Sequence, residues 1–126
     1  DVEGNFATKS GDMCNPIHKT VISKNGVAGG NILNHPDIVD EMVDVYEKNS
    51  ALTMEERLIL SLERAEQLGG DVRGTKSASL NIYSRSFPQS DKRLTDLRVD
   101  FHVTPIAELK ILYQEFTRDG IRRFMH

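Results

Sequence analysis

The sequence predicts an α+β fold in which helices cover antiparallel strands. Segments with strand and helix periodicity follow one another in the order strand, strand, helix, helix, strand, strand, helix. The two strand pairs have the character of hairpins, and helices between hairpins are typical of helices packed on one face of an antiparallel sheet. The 126 residues are therefore expected to form a single α+β domain, residues 1–126.

The first strands are short and rich in glycine and small polar residues. A strand is predicted near residues 5–7, a loop at 11–18 and a further strand at 19–23. The Lys24-Asn25-Gly26 segment predicts a hairpin turn, because Asn-Gly sequences favour positive φ angles. The next predicted strand, 27–33, contains Gly29-Gly30, a pair that indicates a bulge or a close approach of another backbone.

Two helices are predicted next. Pro36 is expected at the first position of one, which ends near Asn49-Ser50. Thr53 and Glu56 form a capping box that starts the other, and Gly69-Gly70 ends it through a left-handed cap. Apolar residues recur at helical spacing in both: Ile38, Met42, Val45 and Tyr46 in the first, and Leu58, Ile59, Leu62 and Ala65 in the second.

The second half of the chain returns to strand periodicity. Apolar Ala78, Leu80 and Ile82 alternate with polar residues over 77–83, which predicts a half-buried strand. After a loop at 84–92, the alternation resumes and predicts a strand from 96 to 103. Its core face is expected to hold Leu97, Val99, Phe101 and Val103, and its polar face Asp96, Arg98, Asp100 and His102.

A last helix is predicted from Thr104-Pro105 and is expected to fray around Asp119-Gly120. Its apolar stripe consists of Ile106, Leu109, Leu112, Tyr113 and Phe116. The few strands of this chain would leave an exposed sheet edge and would cover the helices incompletely. We therefore expect a further polypeptide, or a second copy of the chain, to cover an apolar face, and a homo-oligomer is the expected assembly.

Composition excludes several classes of protein. The net charge of −3 offers no basic excess for a nucleic-acid partner, and no apolar run approaches the roughly 18 residues of a membrane span. The single cysteine, Cys14, cannot form an intrachain disulfide, so a reducing, cytoplasmic location is the simpler expectation, and a periplasmic protein without disulfides is the alternative. Cys14 could act as a nucleophile only beside a base that the sequence does not locate.

The segment from Gly69 to Ser77 is the most unusual in the chain. It places three glycines, Asp71, Arg73 and Lys76 between a helix and a strand. Glycines allow a backbone to approach a ligand, and an Asp–Arg combination can orient or bind a carboxylate-like group, which makes Asp71, Arg73 and Lys76 candidate substrate-binding residues. The alternative is a helix C-cap followed by a tight turn with a surface ion pair.

Two other groups of residues could carry chemistry. Asn31, directly after Gly29-Gly30, could bind substrate or form half of an oxyanion hole, or it could hydrogen-bond a neighbouring loop. Asp100 and His102 could ligate a metal, although closed metal sites need three or four ligands. Ion pairing across strands on a solvated face is the simpler interpretation of that polar strand face, and no metal or cofactor is expected.

Several motifs, in order and at similar spacing, resemble the bacterial domain of unknown function 1028 family. The resemblance covers about residues 6–112 and rests on Gly30-Asn31-Ile32-Leu33, Glu55-Glu56-Arg57-Leu58, Gly69-Gly70-Asp71, Arg73-Gly74, Ser77-Ala78, Asp96-Leu97-Arg98-Val99-Asp100, His102, Pro105 and Glu108-Leu109. It implies part of a four-layer αββα sandwich like that of N-terminal-nucleophile hydrolases. It also implies that this chain is the C-terminal portion of a larger domain, without the N-terminal half that family members carry.

The superfamily's chemistry uses a Thr, Ser or Cys at the chain start, with its own α-amine as the base. Asp1 cannot supply that nucleophile, so this chain alone is not expected to perform the reaction. The first hypothesis is therefore a portion of an amide-bond hydrolase of unknown substrate, with a small-molecule or peptide-like ligand bound by Asn31, Asp71, Arg73 and Lys76. The alternatives are a non-catalytic ligand-binding or assembly module and, least favoured, a metal-binding protein using Asp100 and His102.

Overall fold

The computed structural model describes residues 19–23, 26–30, 32–83 and 93–124, and the side chains of these residues except those of 93 and 119–124. Several predicted features lie outside the described residues: the strand at 5–7, the loop at 11–18 with Cys14, the turn residues 24 and 25, Asn31 and the loop at 84–92. The chain divides after Gly74 into two compact units. The described residues form an α+β structure with two small antiparallel sheets and three helices.

The first unit begins with a hairpin of β1 (Lys19–Ile22) and β2 (Val27–Gly30), paired antiparallel with Lys19 opposite Gly30. The Ser23 N–H donates to the Gly26 carbonyl at 2.8 Å and closes the hairpin. β2 ends three residues before the predicted end of its strand, because Ile32 has a φ of 57° and leaves the extended conformation. Leu33 instead forms an antiparallel bridge with Asp71.

Helices α1 (Ile38–Lys48) and α2 (Met54–Gln67) pack on each other, and α1 also packs on the hairpin. Ile38, Val39 and Ile59 are buried. Arg57 links the two helices: its Nε donates to the Tyr46 carbonyl at 2.8 Å, and its guanidinium carbon lies 3.8 Å from the centre of the Tyr46 ring. α1 starts two residues after the predicted position, since residues 35–37 form a turn.

Both predicted ends of α2 are confirmed. At the start, Thr53 Oγ1 accepts the Glu56 N–H at 3.2 Å. At the end, the Gly70 N–H donates to the Ala65 carbonyl at 3.0 Å and the Gly69 N–H to the Glu66 carbonyl at 3.0 Å. This pair of bonds is a Schellman motif, and Gly69 adopts the positive φ, 106°, that the motif requires.

The second unit pairs β3 (Ala78–Tyr83) with β4 (Arg93–Val99) antiparallel and packs α3 (Pro105–Phe124) on both strands. Leu80, Val99, Ile106 and Leu109 are its buried apolar residues. The strand over 77–83 is confirmed, and its exposed residues alternate with buried or half-buried ones as the sequence predicts. No helix among the described residues is long and apolar enough to cross a membrane.

The predicted extent of β4 is wrong at its end. The strand stops at Val99, and Phe101 and Val103, expected in the core, are 87% and 82% exposed. The backbone turns because the His102 N–H donates to the Lys76 carbonyl at 2.8 Å and Phe101 takes a φ of 54°. The apolar–polar alternation of the sequence therefore continues beyond the point where the extended backbone ends.

Helix α3 also differs from its prediction. It continues past Asp119-Gly120 to Phe124. Only the first part of its apolar stripe is covered: Leu109 is fully buried, whereas Leu112 and Phe116 are each 39% exposed.

Candidate functional site

The candidate site of the first unit lies where residues 32–34 meet residues 69–74. The Asn34 N–H donates to the Gly70 carbonyl at 2.9 Å, and the Val72 N–H donates to the Ile32 carbonyl at 2.9 Å. Asn34 Nδ2 also lies 2.6 Å from the Gly69 carbonyl and 3.3 Å from the Asp71 carbonyl. These bonds fix the loop after α2 to the segment that follows β2, 35 residues earlier in the chain.

Asp71 and Arg73 form a side-on ion pair on this loop. Asp71 Oδ1 accepts the Arg73 backbone N–H at 2.7 Å and Nε–H at 3.0 Å, while Oδ2 accepts from Nη2 at 2.7 Å. The Asp71 side chain is 25% exposed and that of Arg73 is 70% exposed. The pair engages the Nε–Nη2 edge of the guanidinium and leaves Nη1 on the outer edge, which can approach a ligand.

Electrostatics reinforce this pair. The hydrogen bonds from the Arg73 side chain, and then from its backbone, lower the pKa of Asp71 to about 2. Asp71 in turn raises the pKa of Arg73 by accepting its side-chain hydrogen bonds. The Gly74 N–H donates to the Asp71 carbonyl at 2.9 Å, and Gly74 has a φ of 86°, so a tight turn holds both charged residues. The loop therefore presents an ionised carboxylate that orients a guanidinium.

The structure places the four predicted binding residues in different parts of the chain or outside the described residues. Asp71 and Arg73 are brought together, as the sequence suggests. Lys76 belongs to the second unit, where its carbonyl accepts the His102 N–H and its side chain is exposed. Asn31 lies outside the described residues, although its neighbours Ile32 and Leu33 pair with the loop. The roles of all four in binding stay predictions.

Asn34 was not among the predicted residues. Its side-chain amide donates to the carbonyls of residues 69 and 71, so Asn34, which is not part of the loop, holds the loop in this conformation. An Asn after Leu33 indicates no more than a turn by its position in the sequence. A partner 35 residues away produces no local pattern, which is why sequence reasoning missed it.

The second predicted group of polar residues lies on the second unit. Asp96 and Arg98 are exposed on the face of β4 opposite α3, beside Ser79 and Asn81 of β3. This face forms an open depression of about 630 Å³ whose lining is mainly polar. Arg98 Nη2 donates to Asp100 Oδ1 at 3.0 Å, a bond along one stretch of chain rather than across the strands.

Asp100 and His102 each have other neighbours. His102 Nδ1 accepts the Thr104 N–H at 2.9 Å, and Nε2 lies 3.8 Å from Glu108 Oε1. Among the residues that the structure describes, no group of three His, Cys, Asp or Glu side chains could hold a metal ion.

Comparison with known proteins identifies the family. A crystal structure of a protein of family DUF1028 from Silicibacter pomeroyi is similar to this chain, with a TM-score of 0.74 and 31% sequence identity. The similarity covers 90% of this chain and 48% of that one, so this chain spans about half the length of the solved structure. No curated protein matches it. Since the family model matches residues 1–109, the chain belongs to the family of unknown function DUF1028.

Proposed function

We propose that this chain is the C-terminal, substrate-binding portion of an amide-bond hydrolase with an αββα sandwich of the N-terminal-nucleophile type. The observation that carries the proposal is the side-on Asp71–Arg73 pair on a loop that Asn34 holds in place. In this proposal Asn31, Asp71 and Arg73 bind a small-molecule or peptide-like amide, and Lys76 is a further predicted binding residue. The α+β architecture and the sequence resemblance support the assignment of the fold.

Arg73 would recognise a carboxylate or carbonyl group of the substrate. Its guanidinium is always charged, and Asp71 holds one of its edges through two hydrogen bonds. A side chain that is already oriented loses less conformational entropy when a ligand binds. The outer edge of the guanidinium then offers planar donors to an oxygen of the substrate. Asp71 is ionised at neutral pH, as an aspartate at its ordinary pKa of 3.8 would also be.

The reaction itself would use a residue outside this chain. In enzymes of this type the hydroxyl or thiol of an N-terminal Thr, Ser or Cys attacks the amide carbonyl, and its α-amine takes up the proton. Collapse of the tetrahedral intermediate expels the amine, and water then hydrolyses the acyl-enzyme. In this proposal the polypeptide that completes the sandwich supplies the nucleophile, and residues 69–74 hold the substrate.

Mass spectrometry of the intact gene product determines the mature N-terminal residue, which should be Thr, Ser or Cys. An activity assay with a panel of N-acyl amino acids should detect release of the amine. Arg73→Gln should raise KM by about 10- to 100-fold, the loss expected for a charge-assisted hydrogen bond, with a smaller change in kcat. Arg118→Gln, which removes an exposed arginine paired with Glu115 on α3, is the matched control and should leave KM unchanged.

Another residue at the mature N-terminus, or no amine release from the panel, would contradict the hydrolase proposal. Unchanged KM and kcat in Arg73→Gln would instead show that Arg73 does not bind the substrate.

The second candidate is a non-catalytic assembly module on the same fold. The observation in its favour is the exposure of Leu112 and Phe116, which lie one turn apart on α3. Exposed apolar residues that lie together mark interaction surfaces. A second copy of the chain, or the N-terminal half of the larger domain, would cover them. An intact protein that assembles through this surface but lacks a processed nucleophile would favour this candidate.

A further inference from the structure

The turn between β4 and α3 holds two apolar residues in unusual positions. Phe101 has a φ of 54°, in the left-handed region that bulky residues rarely adopt. Among the described residues, Phe101 and Val103 are the most exposed of the large apolar side chains, at 87% and 82%. A strained backbone that displays apolar side chains persists only where bonds from its surroundings hold it.

His102, between these two residues, makes such bonds with its backbone and with its ring. Its N–H donates to the Lys76 carbonyl at 2.8 Å. Its ring Nδ1 accepts the Thr104 N–H at 2.9 Å and lies 3.3 Å from Thr104 Oγ1. Thr104 directly precedes α3, and its carbonyl accepts the Glu108 N–H at 3.1 Å. The ring of His102 therefore ties the turn to the start of the helix.

These contacts define the protonation state of the ring. A backbone N–H can only donate, so Nδ1 must offer a lone pair and the ring proton must be on Nε2. A second proton would occupy the Nδ1 lone pair and remove the acceptor of the Thr104 N–H. The Thr104 hydroxyl can reverse its role and accept from the ring, but the backbone N–H cannot. The turn therefore requires a neutral imidazole, and histidine is the side chain that ordinarily changes charge between about pH 5 and 8.

The charged groups around the ring provide a partner for its protonated form. On α3, Glu108 Oε1 lies 3.8 Å from Nε2. Beyond the end of β4, the carboxylate of Asp100 is already paired with Arg98 at 3.0 Å. Lys76 contacts this residue through its backbone carbonyl, and its side chain is exposed. A charged ring that turns towards Glu108 gains an ion pair as it loses its bond to the turn.

The sequence favours a different backbone conformation for the same residues. The apolar–polar alternation of β4 continues to residue 103, although the strand ends at Val99. Val99 is opposite Ala78, so a continued strand would place Phe101 opposite Lys76. The bond from the His102 N–H to the Lys76 carbonyl is one residue out of that register. The turn and a longer β4 are therefore mutually exclusive.

We propose that residues 100–104 form a pH-sensitive switch controlled by His102. The neutral ring holds the turn that ends β4. The protonated ring releases the Thr104 N–H, and residues 100–103 then take the extended conformation that their alternation favours. The display of Phe101 and Val103 on the surface therefore depends on pH. The switch lies within the second unit and does not depend on the amide-hydrolase proposal.

NMR of the intact protein between about pH 8 and pH 5 tests the proposal. At high pH the ring nitrogen shifts of His102 should identify the Nε2–H tautomer, and the Cα and Cβ shifts of Phe101 should have left-handed values. At low pH the Phe101 shifts should move to extended values. The protection factor of the Thr104 N–H against hydrogen exchange should fall at least about 10-fold, as expected for the loss of one hydrogen bond.

The Glu56 N–H is the internal control, because it bonds the Thr53 hydroxyl, which does not titrate in this range. It should keep its protection factor, which shows that the protein stays folded. Phe101 shifts that stay at left-handed values while the His102 ring becomes protonated would overturn the proposal.

Two variants assign the transition to the ring of His102. His102→Asn keeps an acceptor close to the position of Nδ1 but does not titrate, so Phe101 should stay left-handed at both ends of the pH range. His102→Gln carries its amide farther from the backbone, close to the position of Nε2, so the extended state should be present throughout. An unchanged pH transition in His102→Asn would assign the transition to another group and refute the proposal. A left-handed Phe101 in His102→Gln would show that the ring does not hold the turn.

Discussion

At Asp71, hydrogen bonding from Arg73 governs the charge of a single side chain. The pKa of Asp71 is about 2 in the folded chain, below its ordinary value of 3.8. A lowered folded pKa stabilises the fold above the unfolded value, and this contribution is lost as pH falls through 3.8 towards 2. Carbon-detected NMR of the Asp71 carboxyl should show a midpoint near 2, which should return towards 3.8 in Arg73→Gln. A midpoint near 3.8 in the unmodified chain would show that the pair does not persist in solution.

Substitutions at two glycines of the loop distinguish the cost of a left-handed backbone from the cost of a steric clash. Gly69 and Gly74 both have positive φ, but a Cβ at Gly69 would lie 2.9 Å from Asn34 Cβ, whereas a Cβ at Gly74 would have no heavy atom within 4 Å. Gly74→Ala should therefore cost about 1 kcal/mol for the left-handed backbone alone. Gly69→Ala should cost about 1 kcal/mol or more beyond that, because Asn34 must move and weaken its bonds to the loop.

Urea denaturation of both variants measures this difference in the free energy of unfolding. Equal losses would indicate that the contact between Asn34 and Gly69 is not held tightly.

At the scale of the element, Phe101 and Leu109 differ in burial, and this difference tests where β4 ends. Sequence alternation predicts Phe101 in the core, but the structure leaves it 87% exposed and buries Leu109 completely. Leu109→Ala should therefore lower the free energy of unfolding by about 2–5 kcal/mol, through lost burial and a cavity. Phe101→Ala should change it by no more than about 0.5 kcal/mol, as at other surface positions. If Phe101→Ala lowered the free energy of unfolding by more than about 2 kcal/mol, the prediction from the sequence that Phe101 lies in the core would be right.

Local chemistry explains which elements the sequence predicts well. The ends of α2 depend on Thr53, Glu56 and Gly69, which lie within a few residues of the groups they bond, so the sequence shows them directly. The end of β4 depends on the bond from His102 to the Lys76 carbonyl, and the shape of the 69–74 loop depends on Asn34. Such partners are distant in the sequence, and periodicity carries no information about them. The same reasoning predicts Asp71 and Arg73 as neighbours, because only one residue separates them.

At the scale of the whole molecule, the described residues bury few apolar side chains for the number they expose. Seven apolar residues form the core, and twelve large ones are exposed. Lengths explain part of this imbalance. The 20 residues of α3 span about 30 Å, while the six residues of β3 span about 20 Å, so the hairpin can cover only part of the helix. Ile111, Leu112 and Phe116 remain exposed on the part beyond Leu109.

An exposed apolar stripe on α3 should associate with another polypeptide. We expect a second copy of the chain to cover it when the chain is studied alone, in an interface of about 2,000 Å² or more. Sedimentation velocity should then give a mass of at least twice 14.2 kDa. Leu112→Ser with Phe116→Ser should shift the mass towards the monomer, because both substitutions remove apolar area from the stripe. Val72→Ser removes an exposed apolar side chain from the first unit instead, and should leave the assembly intact. A stable, well-behaved monomer of the unmodified chain would show that α3 needs no partner, since an uncovered stripe of this kind would otherwise drive association.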